Sequence, residues 1–124
     1  MPKTVAILGA SADPAKYGNK SLRAHLLQGY DVYPVNPKGG EIEGLGVYQR
    51  LADVPVEALD RVSVYLPPHV GLGLIDEIAA KGCRELWLNP GSESPELIAA
   101  AEARGLNVIV ACSIVDLGLS PARL

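Results

Sequence analysis

No stretch of this 124-residue chain is apolar over the ~18 residues that a membrane-spanning helix needs. No basic stripe runs through its 11 lysines and arginines either, which are scattered rather than clustered. The first absence argues against a membrane partner. The second argues against nucleic acid, whose phosphates are met by grouped cations. The formal charge is mildly acidic, at −3. Cysteine is scarce: Cys83 and Cys112 form no C-x-x-C pair and neither has a neighbouring histidine. That spacing suggests no metal site and fits reduced thiols in a cytoplasmic protein. A Walker-type G-x-x-x-x-G-K-[ST] is missing, as are linkers and low-complexity tracts. Lys3, "VAIL" and "ASA" imitate a signal peptide, but four apolar residues fall short of the ~7–15 required, so the segment reads as a first strand.

What is present is enough hydrophobic residue, 48%, for one core, and residues 1–124 are expected to form one domain. Short apolar runs recur: "TVAILG" (4–9), "DVYPV" (31–35), "RVSVYL" (61–66), "ELWLN" (85–89) and "NVIVA" (107–111). They are nearly continuous rather than alternating, the pattern of parallel strands covered on both faces. Between them, 19–29, 69–82 and 94–105 read as helices, stopping at Gly29, Gly82 and Gly105. Ser94 is the expected N-cap of the last, with Pro95 in its first turn. The second crossover, 36–60, has room for about one helical turn near "YQRLAD". The expected fold is α/β: a doubly wound, Rossmann-like sheet of five parallel strands in the order 3-2-1-4-5.

Such sheets bind ligands beyond the carboxyl ends of their strands, where the strand order reverses. That directs attention to 9–18, 36–40, 67–69, 89–93 and 111–113. Three of these segments carry proline directly after a strand, "NP" at 36–37, "PP" at 67–68 and "NP" at 89–90, which suggests a rigid rim. The first loop, "GASADPAKYG", opens like a dinucleotide fingerprint at Gly9. Ser11 and Pro14 then stand where the second and third glycines belong. Backbone amides of 10–12 and the Ser11 hydroxyl suit a diphosphate; a ligand-free turn is the alternative reading.

At the end of the second strand an NAD site carries an acidic residue for the ribose hydroxyls. Here stand Asn36, Pro37 and Lys38, followed by two glycines, and all three are candidate ligand contacts. Lys38 suits an extra phosphate on adenosine, the 2′-phosphate of NADP or the 3′-phosphate of coenzyme A; the alternative is a solvated turn lysine. Pro67 and Pro68 offer a wall for a base, and His69 reads as a helix start rather than a catalyst. His25, within a helix beside Arg23, reads as a surface residue. Asn89, Pro90 and Gly91 occupy the tip of the fourth strand, and cap chemistry accounts for Ser92 and Ser94. Cys112 faces the same edge as an inert buried thiol or a reactive one.

With "VAILGAS", "GYDVYPVNPKGGEIEGLGVYQRLADVP", "YLPPHV", "LWLNPGSE" and "GLNVIVACSIV" in this order, the whole chain resembles the stand-alone CoA-binding domain family. These are Rossmann-like proteins similar to the N-terminal domain of the succinyl-CoA synthetase alpha subunit and of the NDP-forming acyl-CoA synthetases. The resemblance implies coenzyme A or acyl-CoA as ligand. It implies a diphosphate contact at Gly9, Ala10, Ser11 and Ala12, and a lysine contact at Lys38. Further contacts are implied at Pro67 and Pro68 and at Asn89, Pro90 and Gly91. Two departures stand out: "WLNPG" replaces a Trp-x-Gln-x-Gly pattern, and Ala111 replaces an arginine before the cysteine. Nothing here matches the synthetases' phosphohistidine or grasp domains, so binding without catalytic machinery is expected. An NADP-type oxidoreductase fragment is the rival, and a sensing or scaffolding subunit for a separately encoded partner is the third reading.

Overall fold

In the computed structural model, which describes residues 2–124, five parallel strands form one sheet. They are β1 (Thr4–Leu8), β2 (Asp31–Val35), β5 (Leu59–Val64), β6 (Cys83–Leu88) and β7 (Val108–Val110). A separate small hairpin pairs β3 (Glu41–Ile42) with β4 (Leu45–Gly46). The helices are α1 (Tyr17–Leu27), α2 (Pro68–Lys81), α3 (Pro95–Ala103) and the one-turn α4 (Ser113–Asp116). A 3₁₀ turn at Leu51–Asp53 supplies the single helical turn expected in the second crossover. Ser94 caps α3 as expected, its Oγ accepting the Leu97 N–H at 3.1 Å.

The sheet order is β2-β1-β5-β6-β7, or 2-1-3-4-5 among its five strands, and this corrects the expected 3-2-1-4-5. The third sheet strand pairs with β1, matching Val5 to Arg61 and Leu8 to Val64. Pro34 supplies the physical reason. Its carbonyl accepts the Tyr48 N–H from the outer side of β2, and a proline there has no N–H with which to continue a ladder. The Asn36 N–H donates to the Tyr48 carbonyl, so the chain around Tyr48 occupies the edge where another strand would have paired.

The two faces of the sheet differ in chemistry. One is apolar throughout: Ala6, Leu8, Val62, Val64, Leu86 and Leu88 pack with Ile75 and Ile78 of α2 and with Leu97 and Ala101 of α3. On the other, Val5, Ile7 and Val32 meet Leu22 of α1. Towards β5 and β6 that face turns polar, with Arg61, Ser63 and Asn89 buried beside Ser113 of α4.

His25 is a second correction. It is fully buried, while Leu27 is 68% exposed. The buried residues of α1 are Gly18, Asn19, Ser21, Leu22, Ala24 and His25, among which Gly18, Ser21, Leu22 and His25 recur at i, i+3, i+4 and i+7, so polarity misled where spacing would not have. His25 Nδ1 lies 2.8 Å from the Ser21 carbonyl, which makes it the protonated nitrogen, and the ring packs edge-on to Tyr30 at 4.9 Å. Burial lowers its pKa from 6.5 to about 4; the Ser21 bond partly opposes this, Arg61 adds to it, and Asp116 opposes it.

The folded state therefore holds His25 neutral, while the unfolded chain takes up a proton below pH 6.5. Stability should fall as the pH drops from about 6.5 to about 4, by up to about 3 kcal/mol from this residue. Chemical denaturation across that range should show the slope, and His25→Gln should flatten it. An unchanged slope in the variant would remove His25 as its source.

Candidate functional site

The carboxyl ends of β1 and β5 lie side by side where the strand order reverses, and a cleft of about 780 Å³ opens there. Gly9 forms the turn after β1 at φ +87°, and a β-carbon on it would stand 2.4 Å from the Tyr65 carbonyl oxygen. The Gly9 and Ala10 N–H groups donate to the Val35 carbonyl at 3.2 and 3.3 Å. Of the amides expected to hold a diphosphate, that of Ala10 is thus engaged with β2, and Ala10 is fully buried. The Ser11 Oγ accepts the Asp13 N–H at 3.1 Å, and Asp13 Oδ1 accepts the Ala15 N–H at 2.9 Å. These local turns carry the chain past exposed Ala12 into α1.

α1 begins with Lys16 as N-cap, has no side-chain cap, and carries no acidic residue in its first turn. Its amino end borders the cleft through Lys16, Tyr17 and Gly18. This places the positive end of the helix dipole at the cleft border, with the Asn19 N–H engaged by the Lys16 carbonyl at 3.1 Å. Gly18 packs so tightly that a β-carbon would lie 2.2 Å from the Gly9 carbonyl oxygen. It does the work of the fingerprint's third glycine, nine residues after the first.

Asn36 is a brace. Its Nδ2 donates to the Ala10 carbonyl and its Oδ1 accepts the Lys38 N–H, each at 2.9 Å. Pro37 and Lys38 follow, exposed, and the Asn36 bond sets this loop beside the first turn. Pro67 and Pro68 are the N-cap and first residue of α2, with exposed His69 next, as expected of a helix start. Asn89 is also a brace, 1% exposed. It donates to Ser63 Oγ and the Val64 carbonyl at 2.9 and 3.0 Å, and accepts the Ser113 N–H at 2.8 Å.

Six expected residues border the cleft: Gly9, Pro67, Pro68, Asn89, Pro90 and Gly91. Ala10, Ser11, Ala12, Asn36, Pro37 and Lys38 lie outside its lining. Sequence reasoning missed Lys16, Tyr17, Gly18, Tyr65 and Pro121; the only prior signal for any of them was position within 9–18. Cys112 borders the cleft half-buried. Beneath it, Tyr65 OH and Ser63 Oγ both meet Ser113 Oγ, at 2.9 and 2.8 Å. Burial raises the Tyr65 pKa, keeping it a neutral phenol near pH 7. The other thiol, Cys83, is pushed up to about 11, first by burial and then by Glu85. No cluster of three or more metal-ligating side chains occurs among the described residues.

A family model described as a CoA binding domain matches residues 3–118. The alpha subunit of acetate–CoA ligase [ADP-forming] I from Pyrococcus furiosus is 30% identical over 99% of this chain, which spans 30% of that subunit's length. A solved conserved hypothetical protein from Pyrococcus furiosus is 37% identical, with a TM-score of 0.82, covering 94% of this chain and 99% of that one. A dinucleotide forming acetyl-coenzyme A synthetase from Ca. Korarchaeum cryptofilum, solved with phosphate and ADP, is 32% identical with a TM-score of 0.76. That match covers 89% of this chain and 26% of the synthetase.

Gly18→Ala tests the close approach of α1 to β1. The neighbouring atom is backbone, so the helix must move, at about 1–3 kcal/mol of stability. A lower urea midpoint is expected, whereas Gly73→Ala, at an exposed helical position with open space around it, should hold or raise it. Equal midpoints for the two variants would show that the contact is not tight.

Proposed function

The chain belongs to the CoA-binding domain family, and on that premise we propose that it binds coenzyme A or an acyl-CoA across the carboxyl edge of its sheet. The observation that carries the reading is the cleft at the β1–β5 reversal, bordered by the amino end of α1, which has no side-chain cap and no acidic residue in its own first turn. A diphosphate fits a helix terminus of this kind. Lys16 adds a cation there, and exposed Lys38 suits the 3′-phosphate of the adenosine on the β2 side. From that start, the strand order leaves the thiol-bearing arm to run towards Tyr65, Gly91 and Cys112.

The reading assigns binding rather than turnover. The cleft lining holds no histidine, aspartate or glutamate, and the reading gives Lys16, Tyr65 and Cys112 ligand contacts rather than proton transfers. The ligase subunit it resembles is more than three times longer, and a separately encoded partner in the cytoplasm is proposed to supply any catalysis. Residues 1–124 act as one domain in this scheme. An NADP site is the second reading, favoured by the same Lys38.

Thermal melts separate these ligands. Near 100 times its dissociation constant, a ligand adds about 2.7 kcal/mol, which raises the midpoint by several degrees. CoA is expected to do so at concentrations where NADP and NAD do not. A shift with either dinucleotide as large as that with CoA would overturn the reading.

Lys38→Ala should weaken CoA about fivefold, roughly 1 kcal/mol for an exposed charge contact, and leave dephospho-CoA unchanged. Titration calorimetry with both ligands decides it. Equal losses would mean that Lys38 does not meet the 3′-phosphate.

A further inference from the structure

Arg61 of β5 is a charged residue with no place in the cleft, yet its side chain is only 9% exposed. Its guanidinium carbon lies over the rings of Tyr30 and Trp87, 5.5 and 4.7 Å from their centroids. Arginine's planar cation suits both aromatic faces. Nε donates to Glu85 at 3.1 Å, and Nη2 donates to Asp116, the last residue of α4.

A helix of four residues cannot hold itself together, because nucleation fixes several residues before hydrogen bonds repay it. α4 is instead gripped from β5, the turn after it, and Asn89 at the end of β6. At its first residue, Ser113 Oγ meets Ser63 Oγ and Tyr65 OH, and its N–H donates to Asn89. At its last residue, Asp116 accepts from Arg61. Residues 61, 63 and 65 follow the two-residue period of one strand face, spaced ~6.6–6.8 Å apart, so α4 lies along them. Immediately before it, Cys112 is the N-cap of α4 and part of the cleft wall.

We propose that Arg61 is a positioning residue for the cleft: through Asp116 it fixes α4, and with it Cys112 in the cleft wall. The pair sits towards the amino ends of the strands, so it acts on the cleft without touching what the cleft holds. The affected part of the ligand rests on the CoA reading. With adenosine near Lys38 and the diphosphate at α1, the thiol-bearing arm reaches α4.

The test uses Arg61→Met, which keeps an apolar stem without the cation, and Asp116→Asn, a milder change at a half-exposed carboxylate. Both should weaken CoA about tenfold while shifting adenosine 3′,5′-bisphosphate, which lacks the arm, by less than about twofold. Iodoacetamide labelling of Cys112, followed by peptide mass spectrometry without ligand, should be severalfold faster in both variants. Arg61→Lys should restore part of each effect. Equal losses on the two ligands would overturn the proposal, and so would unchanged labelling. A wild-type protein that binds neither ligand would instead overturn the CoA reading, and the labelling would still decide whether Arg61 positions α4.

Discussion

The Gly9 carbonyl oxygen lies so near α1 that a β-carbon at Gly18 would stand 2.2 Å from it, and Gly9 itself abuts the Tyr65 carbonyl. The first turn is pinned from a third side by the Val35 carbonyl, and Asn36 reaches back to Ala10. The ends of β1, β2 and β5 and the start of α1 are thereby held in backbone contact. The cleft depends on this contact, because it is what holds the amino end of α1 at the cleft border. Amides already fixed in direction need no ordering when an anion arrives, which lowers the entropic cost of binding.

Behind that edge, the two sheet faces serve different ends. The α2–α3 face is sealed by apolar side chains and supplies area-driven stability. The β5–β6 part of the other face is built of hydrogen bonds, joining Ser63, Asn89 and Ser113 to Tyr65. Such groups are tolerated inside a protein only when paired, and pairing gives direction that apolar contact does not. Two buried side-chain atoms lack a partner among the described residues: Arg61 Nη1, a donor, and His25 Nε2, left as the acceptor by the Ser21 bond. Both groups pack on Tyr30. Burial at this spot lowers the His25 pKa, and it also makes Arg61 dependent on Glu85 and Asp116.

Much of this was legible in the sequence. The near-continuous Val/Ile/Leu runs identified the strands, and Ser94-Pro95 and the glycine stops bounded the helices. Strand order was also legible but was misread: Pro34 inside "DVYPV" already argued for an edge strand. His25 was misread because its polarity was weighed above its spacing on α1. α4 lay beyond the reach of local pattern. Four residues carry no periodic signal, and what holds them is Arg61, Ser63 and Asn89, which are 24 to 55 positions away in the chain.

The asparagines show how a strand-end motif can brace the rim from within. Asn36 and Asn89 both follow a strand and precede a proline, and both suggested a ligand-facing amide. In the fold each turns inward, because a strand that stops at a proline leaves carbonyls and amides of neighbouring segments without ladder partners. A side chain with both a donor and an acceptor can satisfy two of them at once. Asn36 does this between Ala10 and Lys38, and Asn89 between Val64 and Ser113. The surface that faces the cleft includes glycine backbone at Gly9 and Gly91, the rings of Pro67, Pro68 and Pro90, Tyr65, Cys112 and the start of α1. In the proposed reading such a rim meets its ligand through backbone amides and through Lys16 and Lys38, and the asparagines act by keeping the rim's backbone in place.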